Sequence, residues 1–162
     1  MNFVLPSECN RDDVTDFYGE IAAGGGECIG IGNYGNYDPW LTGMKNRHAG
    51  KNLPEGYVRE DFYLCCEDGK LVGVFSLKFE LTEFLLKLGG HIGYAVRPSE
   101  RNRGLATQML GQGVELAGRL GFERVLCVCD EDNYASERVI LKNGGVLEDK
   151  QYDPDEGVFV KR

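Results

Sequence analysis

The chain has 162 residues, with 18 Lys and Arg against 26 Asp and Glu, a formal net charge of −8. That length lies within the usual range of one domain and can bury a sizeable core, so a single domain over residues 1–162 is expected. An acidic surface suits nucleic acid poorly, no charged-then-apolar leader opens the chain, and no apolar run reaches the roughly eighteen residues of a membrane span, so a cytoplasmic protein without nucleic-acid or membrane partners is expected.

Phe3-Val-Leu5 reads as a short strand. Ser7-Glu-Cys-Asn10 resembles the entry to a helix from Asp12 to Ala23, whose Val14, Phe17, Tyr18 and Ile21 fall near one face, and Gly24-Gly-Gly26 stops it. Residues 27–59 are irregular and rich in Gly, Asn, Tyr and Pro, with one amphipathic helix around Trp40, Leu41 and Met44. Such a segment is either a lid or binding arm, or a variable surface excursion. Phe62 to Cys66 and Lys70 to Phe79 flank an Asp68-Gly69 turn and predict a hairpin. Leu81 to Leu88 predicts a short helix broken by Gly89-Gly90, and His91 to Val96 a strand. Gly104 to Leu120 predicts the main helix, with Leu105, Met109, Leu110, Val114, Ala117 and Leu120 in the core and Gly121 closing it. Arg124 to Cys129 has the continuous apolar content of a buried strand, and Ala135 to Asn143 is a helix closed by Gly144-Gly145. Val146-Leu147 and Gly157 to Val160 finish as strands, giving a mixed α/β (α+β) layout.

The six cysteines, Cys9, Cys28, Cys65, Cys66, Cys127 and Cys129, show no Cys-x-x-Cys spacing and are joined by only two histidines. No metal is therefore expected, and the thiols are read as reduced and buried.

The most informative stretch joins the strand ending at Val96 to the main helix: Arg97-Pro-Ser-Glu-Arg101-Asn-Arg-Gly104-Leu-Ala106. A glycine-containing turn opening directly into a helix offers several free N–H groups with the positive end of the helix dipole behind them, which makes an anion cradle. Its sequence is neither Gly-x-Gly-x-x-Gly nor Gly-x-x-x-x-Gly-Lys-Ser/Thr, so the dinucleotide and phosphate-loop mechanisms do not transfer. Gly104 and Ala106 lack bulk, so a diphosphate can come close to the amides. Arg97, Arg101 and Arg103 form a basic island on an acidic chain, open equally to reading as a solvated loop paired with Glu100.

Arg101-Asn-Arg-Gly104-Leu-Ala106 resembles the Arg/Gln-x-x-Gly-x-Gly/Ala pyrophosphate loop of the GNAT superfamily of acetyl-CoA-dependent N-acetyltransferases. About thirty residues later Asn133-Tyr-Ala-Ser136, ahead of a helix ending in Gly, resembles that superfamily's second signature, Asn-x-x-Ala/Ser. The resemblance implies a mostly antiparallel central sheet flanked by helices, acetyl-CoA as co-substrate, and direct acetyl transfer to a primary amine of a small molecule or peptide. It implies that the backbone of Ala95, Val96 and Arg97 pairs with the pantetheine arm. The amides of Arg101, Asn102, Arg103, Gly104, Leu105, Ala106 and Thr107, with the Thr107 hydroxyl, would hold the diphosphate. Asn133 and Ser136 would lie near the thiol end, with helix capping as their alternative role.

The chain departs from the family pattern twice. Ile140 stands where many relatives carry a tyrosine seven residues after the motif asparagine, and Gly90, with His91 beside it, where many carry a glutamate. The general base is thus open between His91 and Glu83, each of which also has a structural reading. Tyr94, Tyr134 and, weakly, Ser136 are candidates to assist the departing thiolate. The departures also admit an acyl-CoA sensor or partner module without catalysis, and a larger acyl group is a further reading. The expected oligomeric state is a monomer or homodimer.

Overall fold

Asp68 and Gly69 both adopt left-handed backbone angles, φ 50° and 80°, the geometry that a two-residue hairpin matched to strand twist requires. The structure, a computed structural model, describes residues 1–24 and 36–162. The hairpin strands belong to an antiparallel sheet of β1 (Asn2–Val4), β2 (Glu60–Glu67), β3 (Lys70–Lys78) and β4 (Ile92–Val96), in the order β1-β2-β3-β4. Helices α1 (Arg11–Ala23) and α2 (Tyr37–Ala49) cover one face, and α3 (Leu105–Arg119) covers the other. After β5 (Cys129–Asp130) comes α4 (Tyr134–Lys142), which packs on α3; β6 (Lys150–Asp153) and β7 (Val158–Lys161) then join β5 in a second sheet, ordered β5-β7-β6.

Strand alternation divides the core in two. Phe62, Leu64 and Val74 pack with Val14, Phe17, Trp40 and Met44 of α1 and α2. Cys65, Phe75, Leu77 and Ile92 pack with Met109, Leu110 and Ala117 of α3. A side chain at Gly113 would collide with the Phe75 ring, so that glycine lets α3 lie close on the sheet. Asn10 caps α1, its Oδ1 accepting the Asp12 amide at 3.0 Å. The α2 helix forms around Trp40, Leu41 and Met44 as expected and ends at left-handed Gly50.

Several expectations are corrected. Val114 and Leu120 are 37% and 45% exposed rather than core, because α3 presents Gly113 and Ala117 to the sheet in their place. Val146 and Leu147 form no strand and are 81% and 52% exposed. The strand is instead β6, whose Lys-Gln-Tyr-Asp lacks apolar alternation and owes its conformation to pairing with β7. Of the expected strand 124–129, only Cys129 enters a ladder, while Cys127 makes one isolated parallel bridge to Ile92. The helix expected at 81–88 is a short turn that starts at Glu83 and widens to π geometry over Leu85–Gly89. Cys65 and Cys129 are buried and Cys9, Cys66 and Cys127 half-buried, all five as free thiols. Gly25, Gly26, Cys28 and the first part of the irregular arm, through residue 35, lie outside the described residues. Among the described residues no helix is long and apolar enough to cross a membrane.

Candidate functional site

β4 is paired along its whole length on one side and almost nowhere on the other. Toward β3 it runs from Leu77↔Ile92 to Gly73↔Val96. The bonds Lys78 N–H to His91 C=O and Arg97 N–H to Val72 C=O, both 2.8 Å, set the phase of this ladder. By antiparallel alternation Gly93 and Ala95 also bond toward β3, while Ile92, Tyr94 and Val96 turn their amides and carbonyls the other way. On that side the Ile92 amide reaches the Leu126 carbonyl at 3.4 Å, and beyond the Ile92–Cys127 bridge β5 leaves to pair with β7. The result is a slot, closed at residues 91–92 and open toward 96, with the main chain of Tyr94 and Val96 along one wall.

His91 seals the closed end. Its N–H donates to the Leu126 carbonyl at 2.8 Å, and its Nδ1 accepts the Leu126 amide at 2.9 Å. That bond uses the lone pair of the neutral ring and leaves the proton on Nε2, the wrong arrangement for taking a proton from a substrate. Burial, aided by the Lys78 charge, also holds the imidazole below its ordinary range. Glu83 sits at the surface, paired with Lys87 at 2.7 Å and pulled below the usual carboxylate range by it. Gly90 explains one departure from the family pattern. It has φ 67°, and a side chain there would stand 2.7 Å from the Leu126 carbonyl, so no glutamate fits at this position.

At the open end of the slot, β4 leads into the cradle. A short 3-10 turn (Pro98–Glu100) is followed by Arg101, then by Asn102 at φ 64° and Gly104 at φ 79°. Two left-handed residues this close curl successive amides into a concavity of the kind that receives anions. The first bond of α3 runs from the Gln108 amide to the Gly104 carbonyl at 3.1 Å. The amides of Asn102, Arg103, Gly104, Leu105, Ala106 and Thr107 meet no protein acceptor among the described residues. Leu105 is buried and anchors the first turn, and a Cβ on Gly104 would meet nothing within 4 Å.

The three arginines do different things. Arg97 is a clamp: its Nε meets Glu20 at 2.5 Å and its Nη1 the Leu71 carbonyl at 3.2 Å, while the other Glu20 oxygen accepts the Ser99 amide at 2.6 Å. Arg97 and that amide draw the Glu20 carboxyl down to about 2. Arg103 is held by Glu67 at 3.0 Å and by Glu100, which also binds Lys70. Arg101 is exposed, its Nε 3.4 Å from the Val96 carbonyl, and of the three it is the one without a carboxylate partner among the described residues. The loop is thus braced by α1 and by the β2–β3 hairpin.

The second motif faces the slot from α4. Asn133 caps this helix, its Oδ1 accepting the Ser136 amide at 3.0 Å. The Tyr94 hydroxyl spans from β4 to Ser136 Oγ at 2.7 Å, so two candidates chosen separately from the sequence are in contact. Burial pushes the Tyr94 phenol up to about 12. Tyr134 is exposed, with the Lys161 ammonium 5.5 Å from its ring centre. Ile140 packs half-buried against the α3 side of the core. Sequence reasoning missed the bracing by Glu20, Glu67 and Lys70, which come from distant elements. It also named Ala95, Val96 and Arg97 as the main chain along the slot; strand phase keeps Val96 there beside Tyr94 and turns Ala95 and Arg97 toward β3. Among the described residues no group of three or more His, Cys, Asp or Glu side chains is placed to hold a metal.

The sequence matches the acetyltransferase (GNAT) family over residues 33–144, more than half of its length, and the chain belongs to that family. No curated protein matches it. Its fold is similar to that of RimL, a ribosomal alpha-N-protein acetyltransferase solved with coenzyme A, at 20% identity and a TM-score of 0.68 over 93% of this chain and 85% of that one. It is also similar to a GNAT-family acetyltransferase from Streptococcus pneumoniae, at 16% identity and a TM-score of 0.68 over 99% and 94% of the two chains. Another similar structure is yncA from Salmonella typhimurium, solved with its cofactor acetyl-CoA, at 16% identity and a TM-score of 0.66 over 99% and 88%. The protein is an acetyltransferase of this family.

Proposed function

We propose that the protein transfers the acetyl group of acetyl-CoA directly to a primary amine of a small molecule or peptide. The observation that carries this reading is the row of six amides from Asn102 to Thr107 at the start of α3 that meet no acceptor among the described residues, beside the edge of β4 that faces away from β3. Diphosphate oxygens would accept from those amides, with the α3 dipole behind them and Arg101 free to add charge. The pantetheine would then pair with Tyr94 and Val96 as an added strand, its amide groups meeting theirs. The thioester lies toward Tyr94 and Ser136.

A neutral amine attacks the thioester carbon, the carbon–sulfur bond breaks, and the nitrogen loses its proton to water, since His91 and Glu83 are both engaged in pairs that fix them elsewhere. Placement of the two reactants supplies most of the rate. Calorimetry with acetyl-CoA and turnover of thioester across a panel of amines test the reading. Micromolar binding with amine-dependent release of free coenzyme A is expected. Binding without release for any amine would make the protein a sensor, and a preference for propionyl- or succinyl-CoA would change the acyl group.

A further inference from the structure

We infer that Arg101 selects the acyl donor: its guanidinium stands at the mouth of the slot, and a donor that carries a diphosphate draws it aside and lets the pantetheine arm enter. The inference rests on the acetyl-transfer reading, which puts the diphosphate at the cradle and the pantetheine along β4.

The contact lies where slot and cradle meet. Antiparallel phase turns the Val96 carbonyl away from β3, and Val96 is the last residue of β4. Arg101 Nε donates to that carbonyl at 3.4 Å, a longer bond than any side-chain bond of Arg97 or Arg103. An added strand uses the same group, since the N–H of a pantetheine amide would pair with the Val96 carbonyl from the side that the guanidinium now holds. Both partners need one carbonyl, and the guanidinium has to move before a strand-like arm can run past it.

The local structure makes that movement simple. The Arg101 amide donates to the Pro98 carbonyl at 3.3 Å, so the main chain is anchored and the side chain can swing alone. That side chain is exposed, and no carboxylate among the described residues holds it. The cradle amides begin at the next residue, Asn102, so a diphosphate seated there lies beside the guanidinium. A charge-assisted hydrogen bond is about twice as strong as one between neutral groups, and a phosphate oxygen therefore wins the guanidinium from a neutral carbonyl. Arg97 and Arg103 cannot take this part, because Glu20, Glu67 and Glu100 already hold them.

The consequence is a choice between thioesters. A thioester of coenzyme A brings the diphosphate that clears the slot for its own arm. A thioester of pantetheine alone has to displace Arg101 unaided, and binds less well than its contacts with Tyr94 and Val96 would allow. An arginine that served only to attract phosphate would be indifferent to a donor without phosphate, whereas Arg101 acts against one.

The test compares coenzyme A and pantetheine as probes on the wild type, Arg101→Ala and Arg101→Lys. Calorimetry reads coenzyme A affinity, and the backbone amide shifts of Tyr94 and Val96 read pantetheine affinity. Arg101→Ala should bind coenzyme A about tenfold more weakly than wild type and pantetheine about fivefold more tightly, a change of opposite sign for the two probes. Arg101→Lys, which keeps the charge, should fall between wild type and alanine on both. Loss of fold would weaken both probes together, and the retained coenzyme A binding of the alanine variant shows that it is folded. A pantetheine affinity that does not rise in Arg101→Ala, including pantetheine that moves neither amide in either protein, would overturn this inference alone. So would an alanine variant that binds coenzyme A within about threefold of wild type. A wild-type protein that binds no coenzyme A would overturn the acetyl-transfer reading and this one with it.

Discussion

Substitution of Gly104 separates two effects that the structure keeps apart. The residue has φ 79°, where an L side chain costs roughly 1–2 kcal/mol, yet a Cβ there meets no atom within 4 Å. The backbone cost falls on the folded protein with or without ligand, so Gly104→Ala and Gly104→Glu should be destabilised alike, by about 1 kcal/mol in urea unfolding. Affinity should divide them. A carboxylate about 5 Å from a phosphate charge, at an effective dielectric constant of about 20, opposes binding by about 3 kcal/mol. That corresponds to roughly a 100-fold weaker Kd for Gly104→Glu. Alanine adds no charge and should lose only a few-fold. Because the site is exposed, the penalty of the glutamate should shrink as salt rises well above about 0.1 M, where the screening length falls below about 10 Å. Acetyl-CoA calorimetry on both variants at low and high salt reads all of this. Equal losses for alanine and glutamate, or a glutamate variant binding within threefold of wild type, would show that no anion sits at these amides.

Two glycines of α3 should respond in opposite directions. Gly118→Ala has open space and gains about 0.5–1 kcal/mol of helix propensity, whereas Gly113→Ala collides with Phe75 and should lose about 1–2 kcal/mol net; urea midpoints decide both. Asn133→Ala removes the cap of α4 and should cost about 1 kcal/mol, measured by thermal unfolding. Glu20 gives a pH dependence. Its carboxyl is held at about 2 by Arg97 and the Ser99 amide against an ordinary 4.5, so its contribution is complete above about pH 4.5 and is lost as pH falls toward 2. The wild-type Tm should therefore drop more steeply than that of Glu20→Gln between about pH 5 and pH 2.5, and parallel curves would contradict the pairing.

What the sequence disclosed were features decided locally. Asp68-Gly69 specifies its turn through backbone angles that few residues tolerate, and the Gly104 turn into a helix is legible because an amphipathic run follows it directly. The apolar spacing of α3 was visible, but its orientation was not: Gly113, rather than a larger residue, faces Phe75, and this rotated Val114 and Leu120 outward. β6 has no apolar pattern because its order comes from β7, its partner in a narrow second sheet. The slot was hidden for the same reason. Its wall depends on where β4 stops pairing with residues 126 and 127, some thirty positions away. The contact between Tyr94 and Ser136, 42 residues apart, exists only once α4 has folded back over β4. His91 looked free as a lone histidine, and only the approach of Leu126 shows its ring nitrogen to be occupied.

Backbone amide NMR with acetyl-CoA as titrant bears most directly on the central claim. The largest shifts should fall on the amides of Asn102 to Thr107, followed by Tyr94 and Val96, with Gly93 and Ala95, which face β3, moving less. Shifts confined to other surfaces, or a cradle whose amide signals stay in place at saturation, would contradict it.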